Sequence, residues 1–142
     1  GERVVAAQDF FIGPDVDIER MTILQPGDIL MAIRIPSTWA GSTFYFEKVA
    51  DRNVWDFPLV NIAAAIKMSG NTIEDIRVAC AGVECVPRRL TVVEDVVRGS
   101  SRDEETADLA ASSAARGAVP LNFNHFKIPL LENLVRRAIR DS

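Results

Sequence analysis

The sequence predicts an α+β domain: strands first, helices after, with the helices on one face of a mostly antiparallel sheet. Three observations lead there. Aromatic and β-branched residues dominate Thr43-Phe44-Tyr45-Phe46-Glu47-Lys48-Val49, which favours a strand. Gly70-Asn71 sits between two apolar runs, as a two-residue hairpin turn does. From about residue 90 onward the apolar positions recur three and four apart, the period of a helix. Strands followed by helices give a layered α+β arrangement.

The first 27 residues are turn-rich, punctuated by Gly13-Pro14 and Pro26-Gly27. Ile29-Leu30-Met31-Ala32-Ile33-Arg34-Ile35 reads as a strand, ended by Pro36, which cannot donate to a ladder. Met31, Ile33 and Ile35 alternate with Ala32 and Arg34, so the apolar set reads as core. Residues 43–49 form the next strand. Leu59–Met68 contains three alanines and would favour a helix in isolation. The hairpin turn after it demands a strand on each side, so the run reads as a buried strand whose alanines let helices come close. Ile73–Cys80 is its return strand.

Three helices follow. Pro87 suits a first helical turn, where its missing N–H costs nothing. Leu90, Val93, Val96 and Val97 give that helix an apolar stripe, and Gly99 ends it. Ser101-Arg102-Asp103-Glu104 has the form of a capping box with Ser101 as the cap. The alanine-rich helix behind it ends near Gly117. The last helix spans about Ile128 to Arg140, with Leu130, Leu131, Leu134, Val135, Ala138 and Ile139 on one face.

Composition bounds the function. The chain has 142 residues, 48% of them hydrophobic and 25% charged, one ordinary globular domain's worth. Sixteen Lys+Arg against 20 Asp+Glu leave a net charge of −4, which argues against a nucleic-acid surface. The longest apolar run, Ile62–Ile66, falls far short of the ~20 residues of a membrane helix. The N-terminus lacks the shape of a signal peptide and lacks a Met start. Gly1 thus suits a processing or cloning remnant of a longer chain. Cys80 and Cys85 are too few for a disulfide framework or a structural zinc site, and both read as small buried hydrophobes. A reducing, cytoplasmic location is expected, with the periplasm left open.

Chemistry is sparse. His125, in Asn122-Phe123-Asn124-His125-Phe126, has no nucleophile or carboxylate near it in sequence and reads as a loop or cap residue. No nucleophile elbow, phosphate loop, dinucleotide fingerprint or zinc-protease motif occurs. Glu104 and Glu105, and Arg136, Arg137 and Arg140, complement helix dipoles. No catalytic or metal-ligating residue is predicted.

Five blocks, in order, carry a resemblance to a family. Asp9-Phe10-Phe11-Ile12-Gly13-Pro14 is similar to a D-F-F-x-G segment. Residues 26–36 match P-G-D/E-I/L-L…I-x-I-P, and residues 46–52 match F-x-K-x-x-x-R. Val78-Ala79-Cys80-Ala81-Gly82-Val83, with Pro87-Arg88-Arg89 behind, resembles A-x-G-G-V…P-x-R. Leu134-Val135-Arg136-Arg137-Ala138 resembles a closing L-x-x-R-A helix. Together these resemble the flavoprotein subunit or domain of the molybdenum hydroxylases: xanthine dehydrogenases, aldehyde oxidoreductases and aerobic carbon monoxide dehydrogenases. The resemblance implies a three- or four-stranded sheet with three helices. It also implies a boundary, residues 1–36 being the tail of the preceding FAD-binding domain with a linking strand, and 37–142 the flavoprotein C-terminal domain. Two departures stand out. Ala81 replaces the first glycine of the usual pair, a small change if its backbone stays in ordinary β space. The family's glycine-rich loops, which cradle the FAD diphosphate, are absent, so this is a fragment or the remainder is another chain.

In the family, substrate is oxidised at a molybdenum centre and electrons pass through two 2Fe-2S clusters to FAD and then to an acceptor. The resemblance implies FAD shared with an N-terminal domain, and the molybdenum cofactor and 2Fe-2S clusters in partner subunits. The implied partners are the FAD-binding domain, an iron–sulfur subunit and a molybdenum subunit, with no nucleic acid and no membrane. Leu30 corresponds to the aliphatic residue on one face of the isoalloxazine, and Ile29 to a backbone contact. Lys48 corresponds to a lysine near the ring, where a fixed cation stabilises negative charge on the reduced flavin. Two unit charges 4 Å apart interact by about 4 kcal/mol at an effective dielectric of 20. Arg52 and Asp56 read as supports of the loop after Lys48. The resemblance thus implies an oxidoreductase whose isolated fragment is inactive. Its Asp56–Val60 stretch is closer to the aldehyde oxidoreductases than to the animal xanthine oxidases. A non-catalytic assembly module, which packs on the flavin-binding domain and partner subunits without holding flavin itself, is the alternative. A thiol-redox role for Cys80 and Cys85 ranks below both.

Overall fold

The computed structural model describes residues 1–142. Four strands, β1 (Thr43–Val49), β2 (Val60–Ser69), β3 (Thr72–Ala81) and β4 (Arg88–Arg89), form one sheet in the order β1-β2-β3-β4. Every pairing is antiparallel. Three helices follow: α1 (Thr91–Val97), α2 (Glu104–Ala114) and α3 (Lys127–Arg140). The predicted α+β class holds, with strands before helices and the helices on one face.

The β2–β3 hairpin is the centre of the sheet. Ser69 pairs with Thr72 across Gly70-Asn71, and Gly70 has φ +60. Asn71 keeps an ordinary negative φ, so only the first turn residue needs glycine. The alanine run is a strand despite its helix propensity, because cross-strand pairing on both sides outweighs an intrinsic preference of a few tenths of a kcal/mol per residue. Near the turn the register shifts between Lys67 and Met68. Met68 pairs with Ile73 and Lys67 with Asp75, which leaves Glu74 as the extra residue on β3. The bulge lets Ile73 and Ile76, three residues apart, both point into the core.

The core lies between the sheet and the helices. Ile62, Ile66, Ile76 and Val78 meet Leu134 and Ile139 there, all nearly inaccessible to solvent. Helix α3 buries the face foreseen for it, Leu131, Leu134, Val135, Ala138 and Ile139, with Leu130 at the margin. Helix α2 meets α3 through Ala107, Ala110 and Ala114, whose small side chains allow close approach. Of the β2 alanines only Ala64 faces the helices, whereas Ala63 and Ala65 lie on the opposite face. Close helix approach is therefore a property of α2 more than of the strand.

Several local expectations are corrected. Residues 28–36 form no strand, and Met31, Ile33 and Ile35 are about four-fifths exposed rather than core. Their alternation is real, but none of the four strands of the sheet pairs with them, and β propensity alone leaves an extended segment. Pro87 precedes β4 instead of opening α1, whose N-cap is Leu90. Asp103, not Ser101, caps α2: its carboxylate accepts from the Thr106 N–H at 2.9 Å. Ser101 is drawn away by a bridge to Thr72. Cys80 is buried in β3 as expected, but Cys85 lies exposed in the loop beyond it.

Candidate functional site

Strand β1 divides its side chains by alternation. Tyr45 and Val49 pack toward the core, and Glu47 reaches Arg137 of α3 at 2.7 Å. Phe44, Phe46 and Lys48 point to the other face, which no helix covers. The register builds that face row by row. Phe46 lies across from Ala63, which lies across from Ala79, which lies across from Arg89. Phe44, Ala65 and Arg77 form the next row. The result is an alanine-floored groove of about 620 Å³, aromatic on one bank and basic on the other, with Ala6, Ala7 and Gln8 at its rim. Trp39 stacks against the basic bank, 5.1 Å from Lys67 Nζ and 5.3 Å from the Arg77 guanidinium, each in cation–π range.

Lys48 stands where this face meets the β1–β2 loop. Its Nζ donates to the Asp56 backbone carbonyl. The Arg52 N–H donates to Asp56 Oδ2 at 2.9 Å, and the Arg52 guanidinium donates to the Trp55 carbonyl at 2.9 Å. Trp55 has φ +51, the only non-glycine residue in the left-handed region. That conformation costs roughly 1–3 kcal/mol and persists only where the surroundings hold it. A cleft of about 350 Å³ opens beside the lysine, lined by Lys48, Val49, Ala50, Arg52 and Asn53. Asn61, the cross-strand partner of Lys48, keeps its side-chain oxygen buried and without a donor.

Ile29 and Leu30 lie on a separate segment, exposed at 77% and 54%. That segment is tied by Arg3 to Asp28 at 2.7 Å and by Arg34 to Glu2 at 3.1 Å. No hydrogen bond or ion pair joins it to Lys48. The structure thus gathers Lys48, Arg52 and Asp56 into one corner, to which Ile29 and Leu30 are joined by neither hydrogen bond nor ion pair.

Other candidates are settled by their surroundings. His125 is exposed in the turn before α3. Burial pushes the Cys80 thiol up to about 11, so it stays protonated near neutral pH and is a poor nucleophile. Arg136 and Arg137 bridge α3 to Asp108 of α2 and Glu47 of β1. Glu94 was missed. It is buried in α1, accepts the Val78 N–H at 3.0 Å, and takes both Arg89 donors at 2.8 and 2.6 Å. The signal was available: Glu94 falls four residues after Leu90, in phase with the apolar stripe.

Fold and site define a layered domain with one uncovered sheet face, part apolar and part cationic. The chain belongs to the family described as CO dehydrogenase flavoprotein C-terminal domain, which matches residues 45–142, and so is a C-terminal domain of the FAD-binding (medium) subunits of molybdenum hydroxylases. It is 29% identical to the nicotine 6-hydroxylase medium subunit of Paenarthrobacter nicotinovorans, over 98% of this chain and 48% of that protein. It is 35% identical to the glyceraldehyde dehydrogenase medium chain of Sulfolobus acidocaldarius, over 82% of this chain and 39% of that one. A solved carbon monoxide dehydrogenase from Hydrogenophaga pseudoflava superposes with a TM-score of 0.81 at 26% identity, over 95% of this chain and 46% of the other. The chain spans about half the length, or less, of the curated relatives it matches.

Proposed function

We propose that this domain forms one wall of the flavin site in the FAD subunit of a molybdenum-containing hydroxylase or dehydrogenase. In this reading the subunit passes electrons from iron–sulfur clusters through FAD to a terminal acceptor. Lys48 carries the proposal: a cation one residue before the end of the edge strand β1, tethered by one of its three donors and beside an open cleft. FAD, when bound, supplies the redox chemistry. The chain's own residues fit part of such a site. Lys48 would supply a positive charge to offset the negative charge of a reduced flavin. Ile29 and Leu30 offer aliphatic surface that would exclude water from a planar group. Asn61 offers an acceptor that lacks a donor within the chain. The diphosphate would fall to glycine-rich loops in a preceding domain, of which residues 1–36 would be the tail and 37–142 the C-terminal continuation. The molybdenum cofactor and the 2Fe-2S clusters would lie in partner subunits.

Replacing Lys48 by Ala in the complete enzyme tests this. The flavin reduction potential should fall with FAD content intact, and an unchanged potential at full FAD content sinks the role of Lys48. The open sheet face favours a second reading, an assembly module that packs on the flavin-binding domain and partner subunits. Phe44 and Phe46 are each about two-thirds exposed there.

A further inference from the structure

We propose that Arg52 and Asp56 are positioning residues that hold the Lys48 ammonium in one place, an inference that rests on the flavin-wall reading of that lysine. The Lys48 stem has four rotatable bonds, so its cation has no fixed position of its own. Its observed acceptor is the Asp56 carbonyl, seven residues beyond the end of β1 at Val49 and outside the sheet ladder. The carbonyl is held by the turn around it. The Asp56 carboxylate is folded inward, with its side chain 18% exposed, and takes the Arg52 N–H at 2.9 Å. The Arg52 guanidinium closes the other side, 2.9 Å from the Trp55 carbonyl and 3.5 Å from Asp56 Oδ1. Between them Trp55 is kept in left-handed space, which an aromatic residue leaves when released. The lock fixes the turn, the turn fixes the carbonyl, and the carbonyl fixes the ammonium. A cation so fixed keeps its field on one point, where a freely moving lysine would spread it through solvent.

The test uses the complete flavin-loaded enzyme with Lys48→Met, Asp56→Ala, Asp56→Asn, Arg52→Gln and the double variant Lys48→Met/Asp56→Ala. Two quantities are read: the flavin reduction potential, and the rate at which an amine-acylating reagent modifies Lys48, followed by mass spectrometry. Asp56→Ala should speed Lys48 acylation about threefold, the size expected for an exposed charge-assisted contact. It should lower the potential in the same direction as Lys48→Met. The double variant should fall no further than Lys48→Met alone, because both changes act through one cation. Asp56→Asn, which keeps an acceptor for the Arg52 N–H, should restore part of both effects. If Asp56→Ala fails to assemble, Arg52→Gln carries the same expectations. Unaltered acylation in Asp56→Ala and Arg52→Gln overturns the proposal. Faster acylation combined with an unchanged potential in Lys48→Met upholds the positioning and removes the flavin role of Lys48.

Discussion

The carboxylate of Glu94 grips the guanidinium of Arg89 with both oxygens, at 2.8 and 2.6 Å, and closes the edge of the sheet with the same group. Strand β4 is only two residues long, so it cannot satisfy β3 beyond Ala79. At Val78 the helix takes over: the Leu90 N–H donates to the Val78 carbonyl at 2.8 Å, and Glu94 accepts the Val78 N–H at 3.0 Å. Arg89 is the arginine of the P-x-R segment, so that motif reads as a structural clasp. Its proton is held more tightly than usual, first because of the hydrogen bond to Glu94.

Removing Glu94 should therefore hurt more than removing a surface acid. Glu94→Ala leaves a buried N–H without an acceptor and a half-exposed arginine without its partner, a loss of about 3 kcal/mol. Glu94→Gln keeps the acceptor and should lose about half of that, by the lower worth of a neutral hydrogen bond. Denaturant unfolding of the complete subunit measures both, and equal effects would contradict a charge-specific clasp.

Gly82 should resist substitution where its neighbour does not. It has φ +81, and an added Cβ would stand 3.0 Å from the Leu59 carbonyl oxygen and 3.1 Å from that of Pro58. Gly82→Ala should cost about 2 kcal/mol, from left-handed strain plus contact with rigid backbone. Ala81 lies within β3 and has no positive φ, so its backbone stays in the ordinary β space where alanine is tolerated. A thermal melt of each variant separates the two positions.

Stability should fall on the alkaline side through Cys80. Burial raises its pKa from 9.0 to about 11, so the folded state holds a proton that the unfolded state releases earlier. This contribution is fully present below pH 9 and is lost as pH rises from there through about 11, in total roughly 3 kcal/mol. Cys80→Ala should flatten that limb of the stability profile. In the same pH range below 9, a thiol reagent should label exposed Cys85 and spare Cys80 until the chain unfolds.

The open face should separate assembly from folding. Phe46→Glu lies outside the core and should change stability by less than about 0.5 kcal/mol. If the assembly reading is right, it releases partner chains while flavin content in what remains assembled is unchanged. Gel filtration with an absorption spectrum reads both.

The sheet and helices were legible because periodicity and turn chemistry are local signals. Gly70-Asn71 identified the hairpin against the helix propensity of Ala63, Ala64 and Ala65, and the α3 stripe identified its buried face. Residues 29–35 were misread because strand formation needs a partner, which no local pattern reveals. The cap on α2 moved from Ser101 to Asp103 because the Thr72 bridge competes for Ser101, a contact nearly 30 residues away in sequence. At the site, the resemblance singled out Lys48, Arg52 and Asp56, and the structure joins them. The Arg89–Glu94 clasp went unread, since a helix acid reveals its burial only through its phase.

The most direct measurement is the flavin content of the native complex that contains this chain, with the intact mass of the polypeptide that carries it. The account predicts a parent of about two domains, by the usual relation of length to domain count, with one FAD per copy seen in its visible spectrum. An intact complex whose corresponding polypeptide carries no flavin would contradict it and leave the assembly role as the function of this domain.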